Sequence, residues 1–80
     1  QFTRLVKAEG RLREFNFRKL KSPDEEVFSV NVCNERGDRI VFTMQKKENN
    51  WRITPCQVPQ WILQNENSLN DAIGDELRNW

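Results

Sequence analysis

The sequence contains no histidine and no tyrosine. Without histidine, Ser-His-Asp triads, histidine general bases and most zinc sites are excluded. Only two cysteines are present, Cys33 and Cys56, and their spacing matches neither a redox motif nor a zinc knuckle. No apolar run approaches the roughly 18 residues that a membrane-spanning helix needs. We therefore predict no catalytic residue, no metal site, no cofactor and no membrane span.

The net charge is also small, at +1, although 31% of the residues are charged. Leu, Ile, Val and Phe together account for 21 of the 80 residues, which is more than disordered chains usually contain. We predict one small domain over residues 1–80, with nearly every large apolar residue in a thin core. The chain begins at Gln1 rather than Met, so we expect that an upstream segment was removed.

Two runs of alternating apolar and polar residues, 27–33 and 39–46, predict a β-hairpin. Gly37 lies between them and can adopt the positive φ that a tight turn requires. If Cys33 pairs with Arg39, the apolar residues of both strands fall on one face. The predicted core pairs are Val32–Ile40, Val30–Phe42 and Phe28–Met44.

Two further strands flank this hairpin. Residues 11–20 alternate so that Phe15 and Phe17 face the core. After the hairpin, Trp51 and Ile53 fall on the core face if a four-residue loop, 47–50, joins the strands. That loop pairs Ile53 with Met44 and Trp51 with Lys46.

The two ends of the chain are predicted to be helical. Residues 2–9 fit a short helix ended by Gly10, with an irregular edge strand as the alternative. From Pro59 onwards, apolar residues recur at helical spacing. We expect one continuous helix over 59–79, with a break near Asn67 as the alternative. Its apolar positions are Trp61, Ile62, Leu69, Ala72, Ile73, Leu77 and Trp80.

These patterns predict the α+β class. The expected architecture is a three- to four-stranded antiparallel β-meander, with a long C-terminal amphipathic helix packed on one face and a short N-terminal helix. In this meander Cys33 and Cys56 lie roughly 12 Å apart, too far for a disulfide. Free thiols favour a reducing compartment, so we expect a cytoplasmic protein.

The face of the sheet opposite the helix is the broadest polar surface that this architecture provides. Antiparallel sheets commonly leave one face exposed to water, and a ligand or partner would bind there or at the sheet edge. The candidate interaction residues are Asn16, Arg18, Ser29, Asn31, Thr43, Gln45, Arg52 and Thr54. We predict a non-enzymatic interaction module that binds a protein or another domain of its own chain, and that is itself a monomer or weak dimer.

The basic N-terminal stretch, residues 4–21, suggests an alternative function. Residues 1–22 carry seven basic and two acidic side chains, a net charge of +5, whereas residues 58–80 carry one basic and four acidic side chains. Positively charged stripes bind phosphates, so the alternative is an anion or nucleic-acid binder. The near-neutral charge of the whole chain argues against nucleic acid.

Overall fold

The computed structural model describes residues 1–79. Five antiparallel strands follow one another both along the chain and across one sheet. They are β1 (Phe2–Ala8), β2 (Arg11–Leu20), β3 (Val27–Cys33), β4 (Arg39–Lys47) and β5 (Asn50–Ile53), and two helices follow, α1 (Gln60–Leu63) and α2 (Glu66–Arg78). The α+β class, the antiparallel meander and the C-terminal helix are confirmed, but the sheet has five strands rather than three or four.

The N-terminal helix is wrong, because residues 2–8 form strand β1. Glu9 and Gly10 both have positive φ, 54° and 74°, and close a two-residue turn between β1 and β2. Such turns match the twist of paired strands. Phe2 and Val6 are four residues apart, a spacing that lies on one face of a strand as well as of a helix. The helical interpretation places Leu5 on the same apolar face as Phe2 and Val6. In the strand it points to the opposite face and is 62% exposed.

The hairpin of β3 and β4 has the predicted register. Val32 lies opposite Ile40, Val30 opposite Phe42 and Phe28 opposite Met44. The register between β4 and β5 is also confirmed, with Ile53 opposite Met44 and Trp51 opposite Lys46. The connecting loop is shorter than predicted, because Lys47 and Asn50 also pair. Only Glu48 and Asn49 form the turn, both with positive φ.

The inner face of the sheet carries the core. The two helices supply Ile62, Leu69 and Ile73, all fully buried against the sheet's aromatic and branched side chains. Phe28 makes an edge-on contact with Trp51, with ring centroids 5.0 Å apart. Burial of this face is the main stabilising contribution expected in a chain of this size.

The predicted continuous helix over 59–79 is wrong, because a turn at Gln64 and Asn65 interrupts it and separates α1 from α2. The Asn65 side chain donates a hydrogen bond to the Trp61 backbone carbonyl, with an N–O distance of 2.6 Å. Asn65 itself has φ −105° and ψ 13°, outside the helical range. The break lies two residues before the position considered in the sequence, and α2 ends at Arg78. Trp80 lies outside the described residues.

Helix α2 contacts both edges of the sheet, so the sheet curls around it. Glu66 and Asn70 bind the backbone of β5, and Glu76 pairs with Arg4 of β1 at 3.1 Å. Both cysteines are free thiols, as predicted, and both are exposed. Within residues 1–79, neither helix has the length and apolar character needed to cross a bilayer.

Candidate functional site

The outer face of the sheet, opposite the helices, is uncovered and holds the eight candidate residues. The strand register arranges them in rows that run across the strands. One row contains Asn16, Asn31 and the exposed Val41. The next contains Arg18, Ser29, Thr43 and Thr54, and the third contains Gln45 and Arg52. The structure therefore places all the predicted residues on one surface.

The first row forms a chain of side-chain hydrogen bonds across three strands. The Thr3 hydroxyl donates to Asn16 Oδ1 at 2.7 Å, and Asn16 Nδ2 donates to Asn31 Oδ1 at 3.1 Å. Opposite Asn31 lies Val41, whose side chain is 61% exposed. These bonds fix the orientation of the amides, so the row presents a defined polar edge beside an apolar side chain.

The sequence analysis missed Thr3 and Val41 for different reasons. Thr3 was placed in a helix, where it has no relation to the sheet. Val41 belongs to the alternating pattern of β4 and lies two residues from Thr43 on the same face. The alternation of β4 therefore places Val41 on the outer face, but the candidate set contains only polar residues.

The outer face carries several positive charges that form no ion pair within residues 1–79. These are Lys7 of β1, Arg18 of β2, and Arg39 and Lys47 of β4. The cation of Arg52 differs, because it lies 3.4 Å from Glu66. Strand alternation places only Glu14 as an acidic residue on the outer side of these strands. From the loop after β2, Glu25 also reaches this face, where it accepts a hydrogen bond from Gln45 Nε2 at 2.6 Å. Cations still outnumber carboxylates there, so the face is positive although the chain is nearly neutral.

The basic stretch 4–21 does not form one continuous stripe. Arg4 pairs with Glu76, and Arg11 lies 3.4 Å from Glu35. Arg13 is 8% exposed and lies 4.6 Å above the Trp61 ring, which favours its cation electrostatically. Glu35 lies 3.5 Å from the Arg13 guanidinium, so this arginine links β2 to the β3–β4 turn and α1. Three of the seven cations therefore have intramolecular partners.

The two edges of the sheet differ in how their backbone groups are satisfied. On β5, the Trp51 N–H donates to Asn70 Oδ1 at 2.6 Å, and the Ile53 N–H donates to Glu66 Oε2 at 2.8 Å. Both donors point away from β4, and side chains of α2 cap them. This contact protects the edge from pairing with another strand.

On β1 the corresponding groups have no such cap. The turn-closing pair Ala8–Arg11 exchanges both backbone hydrogen bonds, and the antiparallel ladder then alternates. The N–H and C=O groups of Thr3, Leu5 and Lys7 consequently point to the free side of β1. The same reasoning applied to β5 reproduces the observed directions of the Trp51 and Ile53 donors. Within residues 1–79, no hydrogen bond reaches the three free-side N–H groups of β1.

Among residues 1–79, no group of three cysteine or carboxylate side chains converges in a way that could hold a metal ion. Searches against protein-family models, curated proteins and solved structures each found no match. The two surfaces that stand out are the outer face, with its ordered amide row, and the uncapped edge of β1.

Proposed function

We propose that this protein is a non-enzymatic interaction module that binds a protein partner through the outer face of its sheet. The observation that carries the proposal is that Arg39 and Arg18, which have no ion pair within residues 1–79, lie next to the two ends of the row formed by Val41, Asn31 and Asn16. Charge complementarity of this kind selects a partner and accelerates association. The partner surface it fits carries carboxylates around an apolar group that contacts Val41.

The geometry also makes this proposal testable by mutation. Arg18 and Arg39 are exposed and make no ion pair among the described residues. Reversal of their charge leaves no internal carboxylate unpaired, and surface changes of this kind usually alter stability by less than about 0.5 kcal/mol. A loss of binding can therefore be separated from a loss of folding.

The test begins with a photoreactive amino acid in place of Val41, which captures the partner from an extract of the source cells. The captured protein is then purified and its affinity measured for Arg18→Glu and Arg39→Glu. We expect each variant to bind at least about tenfold more weakly at low salt, with an unchanged melting temperature. The control is Lys21→Glu, the same charge reversal in the loop after β2.

Two results would contradict the proposal. The first is that Lys21→Glu weakens binding as much as the two outer-face variants do, because the effect would then be a general consequence of net charge. The second is that both outer-face variants bind the partner with the affinity of the unmodified protein, which would show that the face takes no part in binding.

A second proposal, binding of an anion or nucleic acid, retains support from Lys7 and Arg18, which lie in the stretch 4–21 and on the positive face. This function predicts binding to heparin or a single-stranded oligonucleotide that falls steeply with salt, because each phosphate contact releases counterions. A protein partner with a mixed apolar and acidic surface predicts a shallower salt dependence. The slope of affinity against salt concentration separates the two functions.

A further inference from the structure

The free edge of β1 is the second surface with recognition chemistry. Among residues 1–79, no hydrogen bond reaches the outward-pointing backbone groups of Thr3, Leu5 and Lys7 on this edge, whereas α2 caps the edge of β5. Two of the exposed large apolar side chains, Leu5 at 62% and Leu12 at 67%, lie on β1 and β2 at this end of the outer face. An uncapped edge beside exposed leucines is typical of a strand-pairing site.

We propose that β1 pairs antiparallel with β1 of a second copy of this chain, in a register centred on Leu5. The register follows from the free-side groups, since strands can pair only through residues whose N–H and C=O point outwards. Leu5 then lies opposite Leu5 of the second copy, and Thr3 lies opposite Lys7. The outcome is one continuous ten-stranded sheet, independent of the partner that binds the outer face.

Charge selects this register over its neighbours. A shift by two residues in one direction places Arg4 opposite Arg4, and like charges directly opposite one another are destabilising. A shift in the other direction places Leu5 opposite Lys7 and reduces the paired segment from five residues to three. In the centred register Arg4 lies opposite Val6, and no two like charges face each other directly.

The surroundings of the edge suit a second copy of this strand. Across the two-fold axis, Leu12, Leu5, Leu5 and Leu12 form a diagonal apolar stripe on the outer face, because Leu5 and Leu12 are diagonal neighbours on β1 and β2. On the inner side, Val6 borders a groove of about 350 Å³ between β1 and α2, which Arg4 and Lys7 line on the strand side and Asp71 and Asp75 on the helix side. The second copy's Arg4 lies opposite Val6, which brings a basic strand beside the acidic side of the helix.

The interface is small, so the dimer should be weak. Five paired residues and two leucines per copy place it below the roughly 1,200 Å² of stable complexes, which corresponds to dissociation constants on the order of 10 µM to 1 mM. Sedimentation equilibrium up to about 1 mM protein covers this range. The expected result is a reversible monomer–dimer equilibrium.

Leu5→Pro is the decisive variant. It removes an N–H that the β1–β2 ladder does not use, so the fold should persist, because proline is tolerated on edge strands. The two-fold axis makes this change remove two intermolecular hydrogen bonds, and the dimer should dissociate about 10- to 100-fold more readily. Leu5→Lys, which places two lysines opposite each other, should have the same direction of effect without altering the backbone. Val41→Lys, on the outer face away from β1, is the matched control and should leave dimerisation unchanged.

A cross-linking experiment tests the register in the Cys33→Ser, Cys56→Ser background. Leu5→Cys should form a disulfide-linked dimer under mild oxidation, whereas Thr3→Cys should not, because the two copies of residue 3 lie about 13 Å apart along the strands. Three results would overturn the proposal: a monomer at about 1 mM, dimers unaffected by both Leu5 variants, or equal cross-linking by the two cysteines. Monomeric protein whose β1 amides become protected only with a foreign extended peptide would also overturn it.

Discussion

The contribution of the cap on the β5 edge to the free energy of unfolding can be measured through the hydrogen bond between Asn70 and the Trp51 backbone. Asn70→Ala removes the oxygen that accepts the Trp51 N–H at 2.6 Å, together with the longer, exposed hydrogen bond that Asn70 Nδ2 donates to Asn50 Oδ1 at 3.4 Å. Within residues 1–79, the Trp51 N–H has no hydrogen-bond acceptor other than Asn70. Because Trp51 is 3% exposed, water replaces this acceptor poorly. An orphaned buried donor costs about 1–3 kcal/mol.

Helix propensity acts in the opposite direction and must be subtracted. Alanine is favoured over asparagine in a helix by about 0.5 kcal/mol. Asn67 is exposed in the first turn of α2 and its side chain makes no hydrogen bond within residues 1–79, so Asn67→Ala shows the effect of an asparagine-to-alanine change in this helix without the loss of a side-chain contact. We expect Asn70→Ala to be less stable than Asn67→Ala by about 1–3 kcal/mol.

Urea unfolding followed by tryptophan fluorescence provides both free energies of unfolding. Asn70→Asp retains an acceptor oxygen at the same position and should lose less stability than Asn70→Ala. If Asn70→Ala and Asn67→Ala have the same free energy of unfolding, the side chain does not seal the edge. Equal losses for the alanine and aspartate variants would show that the accepted hydrogen bond is not the cause.

Further predictions concern the core and the thiols. Ile73→Ala should lower the free energy of unfolding by about 2–5 kcal/mol in the same urea assay, because Ile73 is fully buried between α2 and the sheet; an unchanged midpoint would mean that α2 packs by another face. Ellman's reagent should titrate two thiols in the folded, unreduced protein, because Cys33 and Cys56 are exposed, and a count of zero would show that they are oxidised.

The pairing of β3, β4 and β5 could be predicted because the apolar residues of both strands in each pair must lie on the core face. A register shift by one residue would move Val30 and Phe42 to opposite faces, so only one pairing keeps both in the core. The outer-face residues followed from the same alternation, since each is adjacent along the chain to a core residue. Their placement therefore needed no information about distant parts of the chain.

The N-terminal strand and the helix break could not be predicted in this way. Phe2 and Val6 satisfy the period of a helix and of a strand, and only pairing with β2 distinguishes the two. At the break, the Asn65 side chain donates a hydrogen bond to the Trp61 carbonyl, a contact that the apolar periodicity does not reveal. The cap on β5 is also invisible in sequence, because Asn70 is 19 residues from Trp51 and only the packed helix brings them together.

Amide hydrogen exchange tests most directly the central claim that one edge of the sheet is sealed and the other is open. In dilute, monomeric protein, we expect slow exchange at Trp51 and Ile53, whose N–H groups bind α2. Along β1, exchange should alternate, fast at Thr3, Leu5 and Lys7 and slow at the residues between them. Fast exchange at Trp51 and Ile53, or uniform protection along β1, would contradict the account.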